Sequence, residues 1–108
     1  VADLLDRDTA QTYASWFRAL ADPTRVQVVE YLARHARPMS VGELVAAVGL
    51  AQSTVSQHLK ILTEVRFVLV ERVGTARHYR INDACVGCFP SAADVVMGRP
   101  APNPVGAC

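Results

Sequence analysis

The stretch "QSTVSQHLKILTEV", residues 52–65, decides how the rest of this 108-residue chain is read. Val55, Leu59 and Leu62 fall at i, i+4 and i+7, the spacing of one apolar stripe along a helix. Ser53, Thr54, Ser56, Gln57, His58 and Lys60 spread over the remaining surface, so the exposed side is rich in small hydrogen-bonding groups. Directly after it, "FVLVERVGTARHYRI" reads as two strands, 67–73 and 76–81, turning at Gly74-Thr75. Shortly before it, "SVGE" at 40–43 has the Ser-x-x-Glu form of a capping box. The short helix it starts, Val41–Val48, ends at Gly49, a residue suited to a C-terminal cap.

Further upstream, "TAQTYASWFRAL" places Tyr13, Trp16, Phe17 and Leu20 on one helical face. In "ADPTRVQVVEYLARH", Asp22 is the expected N-cap and Pro23 the first helical residue. Val26, Val29 and Leu32 or Ala33 then recur at helical spacing, and "ARP" ends the helix. Downstream, Asn82 and Asp83 offer N-caps for a turn carrying Cys85 and Cys88. Pro90 has no N–H to donate, so a break is expected near Phe89, with a second helical piece from Pro90 to Met97 ending at Gly98. The pattern predicts a mainly α chain with a β-hairpin wing, a winged helix-turn-helix. Residues 1–98 are expected to form a winged-helix DNA-binding and dimerisation domain and 99–108 a flexible Pro-rich tail.

Composition sets the outer bounds. A length of 108 residues with 51% hydrophobic content suits one folded domain with a modest core. Such a core leaves Tyr13, Trp16 and Phe17 incompletely covered, so a homodimer is expected. The polar, acidic start "VADLLDRDTAQ" lacks the features of a secretion signal, and no apolar run approaches the roughly 20 residues of a membrane span. A cytoplasmic protein with no membrane partner is expected, and a first residue Val1 points to a processed or trimmed start. The net charge of +1 hides a gradient. Residues 1–51 carry five Arg against six acids, residues 52–82 carry five basic residues against two acids, and residues 83–108 carry Arg99 against Asp83 and Asp94. A basic excess confined to the middle segment is the footprint of a local nucleic-acid contact.

The second helix of a helix-turn-helix lies in the major groove, where short polar side chains meet base edges. Ser53, Thr54, Ser56, Gln57 and His58 are suited to reading bases, and Lys60 to a phosphate. A lone histidine on a helix is, however, more often a structural hydrogen-bonder than a reader. Arg72, Arg77 and Arg80 on the hairpin suit the DNA backbone or a minor groove. The expected partner is double-stranded operator DNA. A dimer sets its two reading helices about 34 Å apart and so prefers an inverted repeat. No nucleophile–base pair, phosphate loop or carboxylate dyad is evident, so no enzymatic activity and no organic cofactor are expected. A Cys-x-x-Cys oxidoreductase would need a βαβ context, which this pattern lacks. His35 suits a helix C-terminus, and His78 alternates with wing residues.

The blocks "FRALADPTRVQVVEYL", "STVSQHLKIL" and "FVLVERVGTARHYRI" resemble the ArsR/SmtB family of bacterial metal- and metalloid-responsive repressors over about residues 14–82. The resemblance implies a homodimer through the first and last helices and a repressor that leaves its operator when an inducer binds. It places Gln52–Lys60 in the recognition helix and Arg72–Arg80 in the wing. One departure is visible: Arg66 stands where many members have Gly.

The resemblance also frames the cysteines. Arsenic and lead sensors of one type carry thiolates near the first DNA-binding helix, whereas "MSVGEL" at 39–44 has none. Zinc and nickel sensors carry Asp/His and His/Glu pairs along the last helix, where this chain has Asp94 and no histidine. Cys85-x-x-Cys88 remains. On one helical turn two such thiols point the same way, with Cβ atoms about 5–6 Å apart. Thiolates favour soft ions, and the expected inducer is As(III) or another thiophilic ion. Trivalent arsenic takes three thiolates, or two when carbon holds one valence. A tail of at most ~36 Å can return Cys108 as the third, although Pro100, Pro102 and Pro104 stiffen it. The alternatives are another soft metal (cadmium, lead or antimony), a redox or persulfide signal through Cys85 and Cys88, or simple packing of the thiols.

Overall fold

The computed structural model describes residues 4–100. Among them the order is α1 (Arg7–Ala19), α2 (Pro23–His35), β1 (Met39–Ser40), α3 (Val41–Val48), α4 (Gln52–Glu64), β2 (Val68–Val73), β3 (Ala76–Ile81) and α5 (Asp83–Val96). Residues Ala19–Asn82 form one compact unit, and the segments flanking them form another.

In the central unit, helix ends are set by the side chains that the sequence supplies. Asp22 accepts from the backbone N–H groups of Thr24 at 2.9 Å and Arg25 at 3.3 Å, with Pro23 opening α2. Desolvation works to raise the Asp22 carboxyl, but these two N–H bonds and the nearby positive charge hold it below its usual value. The α3 capping box is complete. The Glu43 N–H donates to Ser40 Oγ at 3.2 Å, and the Ser40 N–H donates to Glu43 Oε1 at 3.3 Å. Gly49 closes α3 in the left-handed region at φ 73°.

One side of α4 is the centre of the core. Val55, Leu59 and Leu62 are buried together with Val28 and Leu32 of α2, Leu44 of α3, and Phe67, Val68, Tyr79 and Ile81 of the wing. The buried stripe of α2 differs from the expected one: Val28 and Leu32 face inward, while Val26 is 47% exposed. Apolar residues at 26, 28 and 29 allow two stripes, and periodicity alone does not choose between them. The sheet is antiparallel, in the order β1-β3-β2. β1 was not anticipated. It pairs only Met39 with Tyr79 and Ser40 with His78, too short a segment to show an alternating pattern.

The chain leaves α4 through a Schellman motif. The Phe67 N–H donates to Leu62 O and the Arg66 N–H to Thr63 O, both at 3.1 Å. This puts Arg66 at φ 63°, in the left-handed region where Gly is the unstrained residue. Asn82 braces the turn, its side-chain amide donating to Arg66 O at 2.8 Å and its N–H to Phe67 O at 2.9 Å.

In the flanking unit, Phe89 of α5 lies against α1, with ring centroids 6.5 Å from Trp16 and 5.5 Å from Phe17. Tyr13 and Trp16 are already buried within the single chain, contrary to expectation, and only Phe17 of the aromatic trio stays partly exposed, at 37%. A second correction concerns Pro90, which lies inside an uninterrupted α5. A proline φ is compatible with a helix, and its costs are one missing donor and the crowding of its ring against the carbonyl four residues back. Val86, whose carbonyl loses that donor, is exposed, so water can take its place. In the next turn Ser91 Oγ donates to Gly87 O at 3.3 Å.

Two stability predictions follow from these ends. Left-handed backbone costs a non-Gly residue about 1–2 kcal/mol, partly offset by the greater freedom of Gly in the unfolded chain. Arg66→Gly should therefore raise the urea midpoint, and Arg66→Val should lower it. Glu43 is held below its usual pKa, first by the side chain of Arg37 at 2.8 Å and then by the Ser40 N–H. Its stabilisation is complete above the unfolded value of 4.5 and is lost as pH falls through the lower folded value. Glu43→Gln should flatten the acid limb of a thermal-melt series below that pH while lowering the melting temperature at neutrality.

Candidate nucleic-acid interface

Burial of the 55/59/62 row turns the opposite side of α4 outward. Gln52, Ser53, Thr54, Ser56, Gln57 and Lys60 are all exposed, as one reading face requires. Ser53, Thr54, Gln57 and His58 line a shallow surface hollow of about 300 Å³. The N-cap, Ala51, supplies no side-chain acceptor, and the first turn of α4 has no acidic residue. Its end is therefore compatible with a phosphate.

His58 differs from its neighbours. It is half-buried, and its Nδ1 lies 3.2 Å from Nη1 of Arg25 on α2. Arg25 also donates from Nε to the carbonyl of Ala19 at 2.6 Å. Sequence reasoning passed over Arg25. The signal was its position, three residues before Val28 and seven before Leu32, on the stripe that faces the core.

The three wing arginines do not form one cluster. Arg72 and Arg77 are paired residues across the β2–β3 ladder, so their side chains share a face, and both are exposed. Arg80 pairs with Leu69 and lies on the other face, with Nε 3.8 Å from Oε2 of Glu71. With Arg66 and Glu71 it lines a separate hollow of about 330 Å³.

Cys85 and Cys88 lie one turn apart in the first half of α5, 8% and 4% exposed. Cys88 is disulfide-bonded and Cys85 takes part in no disulfide, so the two are not joined to each other. Cys108 and residues 101–108 of the expected tail lie outside the described residues. Among the described residues no group of three or more His, Cys, Asp or Glu side chains is placed to hold a metal ion. His35 Nδ1 bonds to the carbonyl of Tyr31 at 2.9 Å, at the end of its own helix.

This architecture is a winged helix-turn-helix. The family model for bacterial regulatory proteins of the arsR family matches residues 22–69. The crystal structure of Rv0081 from Mycobacterium tuberculosis is similar with a TM-score of 0.67 at 32% identity, over 85% of this chain and 91% of that one. The chain belongs to the ArsR family. The solution structure of the homodimeric winged helix-turn-helix DNA-binding domain of Mb0332 from Mycobacterium bovis has a TM-score of 0.68 at 28% identity, over 90% of this chain and 91% of that one. A transcriptional repressor SmtB homolog of Synechocystis is 38% identical over 81 residues, 75% of this chain and 60% of the relative. A probable mercury resistance operon repressor of Streptomyces lividans is 37% identical over 86 residues, 80% of this chain and 62% of the relative. The chain thus spans about three-fifths of the length of these two curated relatives, which are repressors and not enzymes. No helix among the described residues is long and apolar enough to cross a membrane.

The Arg72–Arg77 pair carries a cost in the isolated protein. Like charges directly opposite across a ladder destabilise, by a few tenths of a kcal/mol up to about 1. Arg77→Thr should raise the melting temperature in low salt, with the gain disappearing near 1 M salt as the charges are screened.

Proposed function

We propose that this chain is a cytoplasmic, homodimeric transcriptional repressor that binds an inverted-repeat operator and releases it when a thiophilic ion, As(III) foremost, binds Cys85 and Cys88. The observation that carries the DNA reading is α4 itself, with a buried apolar row and a continuous exposed face of Gln52, Ser53, Thr54, Ser56, Gln57 and Lys60. Ser, Thr and Gln offer donors and acceptors to base edges without the charge repulsion a Glu would bring. Arg72 and Arg77 on one wing face supply phosphate contacts, whose attraction offsets their mutual repulsion once a polyanion lies beside them. Arg80, tied to Glu71 on the opposite face, takes the lesser part in DNA binding.

Dimerisation belongs to the flanking unit, where Leu4, Leu5 and Phe17 at the N-terminal side and Val86, Val96 and Met97 at the C-terminal side are exposed. A second copy covering them gives the operator its two-fold symmetry, in keeping with the homodimeric Mb0332 domain. In this reading residues 1–98 form the DNA-binding and dimerisation domain, and 99–108 its tail.

Soft thiolates one helical turn apart select soft ions. Two buried sulfurs with no third donor among the described residues suit a carbon-substituted arsenical or a mercuric ion held by two thiolates. Inorganic arsenite needs a third thiolate, which Cys108 supplies in this reading. Cys88 must be reduced to take part, as the cytosol provides. The cysteines stand in the first turns of α5, the helix that follows the wing directly after Asn82, so an ion fastened there acts on the start of that helix. Shifting occupancy from 99:1 to 1:99 requires about 5.5 kcal/mol in favour of the released state, within reach of two or three metalloid–sulfur bonds.

The test is a fluorescence titration of reduced protein on an inverted-repeat duplex. Gln57→Ala should relax sequence preference, whereas Arg77→Ala should weaken binding to every duplex and reduce the salt slope by about one. Cys85→Ser and Cys88→Ser should bind DNA and ignore arsenite, and Cys108→Ser should lose sensitivity to arsenite more than to a carbon-substituted arsenical. Release of Cys85→Ser by arsenite at the parent's concentration would place the sensing site elsewhere. Release by cadmium, lead, antimony, mercury or persulfide but not by arsenicals would keep the cysteine site and change its ligand.

A further inference from the structure

The contact between Arg25 and His58 joins α2 to the reading helix, and the DNA reading does not use it. An arginine guanidinium carries N–H donors only and stays protonated at any physiological pH. With Nη1 at 3.2 Å from Nδ1 of His58, the ring nitrogen must be the acceptor. A neutral imidazole that accepts at Nδ1 carries its single proton on Nε2. A doubly protonated ring would turn an N–H toward a cation and lose the bond.

The guanidinium is itself fixed. Its Nε donates to the carbonyl of Ala19 at 2.6 Å, and Ala19 is the last residue of α1, where the partial negative charge of the helix end favours a cation. Two bonds at separate nitrogens leave the planar group little freedom to rotate. Both Arg25 and His58 are half-buried, so water competes with these bonds less than it would on an open surface. The same His58 ring lines the hollow formed with Ser53, Thr54 and Gln57, on the face proposed above to read the duplex.

The geometry points to Arg25 as a positioning residue that keeps Nδ1 of His58 an acceptor and its N–H on Nε2, a one-way hydrogen-bond donor on the reading surface. This rests on the DNA-reading function proposed above and assigns His58 a narrower part in it. A fixed donor donates to N7 of a purine, O6 of guanine or O4 of thymine, and is mismatched to the amino groups of adenine and cytosine. A histidine free to choose its tautomer would accept either kind of edge. Arg25 therefore sets a base preference without touching DNA, and it ties the start of α2 and the end of α1 to the middle of α4.

The experiment has an arm without DNA and an arm with it. In reduced, DNA-free protein the imidazole nitrogen shifts, read by 15N NMR above pH 7, should show the Nε2–H tautomer for His58. In Arg25→Ala they should show a mixture. His58→Asn keeps an acceptor near the Nδ1 position but has nothing at Nε2, so amide exchange along α4 should stay near the parent's in His58→Asn and rise in Arg25→Ala. On a panel of single-base operator variants, both substitutions should weaken the preferred sequence about tenfold, flatten preference at the same base pair, and leave the salt slope unchanged. The double variant should be no worse than either single one.

An Nδ1–H tautomer in the parent, or a parent tautomer mixture like that of Arg25→Ala, overturns the proposal. So does a salt slope reduced by about one in Arg25→Ala, which would make Arg25 a phosphate contact, and so do additive losses in the double variant. If the parent binds no duplex, the DNA-reading function fails on its own account. The tautomer and exchange measurements then decide whether Arg25 positions the ring.

Discussion

The buried row of Val55, Leu59 and Leu62 constrains everything else in the central unit. Each side chain is almost wholly removed from water, and truncating a leucine in such a setting costs about 2–5 kcal/mol. Because a helix has two sides, anchoring this row leaves Ser53, Thr54, Ser56, Gln57 and Lys60 no orientation but outward. The end of the same helix is locked to the wing. Leu62 accepts from the Phe67 N–H, and Asn82 returns from the end of β3 to bond the carbonyls of Arg66 and Phe67. Reading helix and wing are thus fixed to each other by burial and by a closed set of backbone bonds.

Much of this was legible in the residues because it depends on local chemistry. The Asp22 cap, the Ser40–Glu43 box, the Gly49 stop and the turn at Gly74-Thr75 each rest on side chains within a few residues of one another. The departures come from choices that local patterns leave open. "VQVV" in α2 supports two apolar stripes, and tertiary packing selects the 28/32 one. Pro90 forbids one hydrogen bond and not the helix, so α5 continues past it. Pairing register divides the wing arginines, since a strand shows alternate residues to opposite faces and Arg80 differs in parity from Arg72's partner, Arg77. The role of Arg25 was the hardest to see, because it is made by a contact 33 residues away in sequence.

Arg66 shows where a local rule is broken and held by its surroundings. A left-handed C-terminal cap is the standard ending for a helix, yet here an arginine occupies it, bonded through its own N–H and its carbonyl. The cysteines pose a different problem. Their one-turn spacing was readable, but burial of both emerges only from the fold.

The most direct measurement of the central claim, that two copies of the α4 face read one duplex, is hydroxyl-radical footprinting of the reduced protein on a selected high-affinity sequence. The account predicts two protected patches related by two-fold symmetry on one side of the duplex, their centres one helical turn, about 34 Å, apart. A single protected patch, or uniform protection independent of sequence, would contradict it.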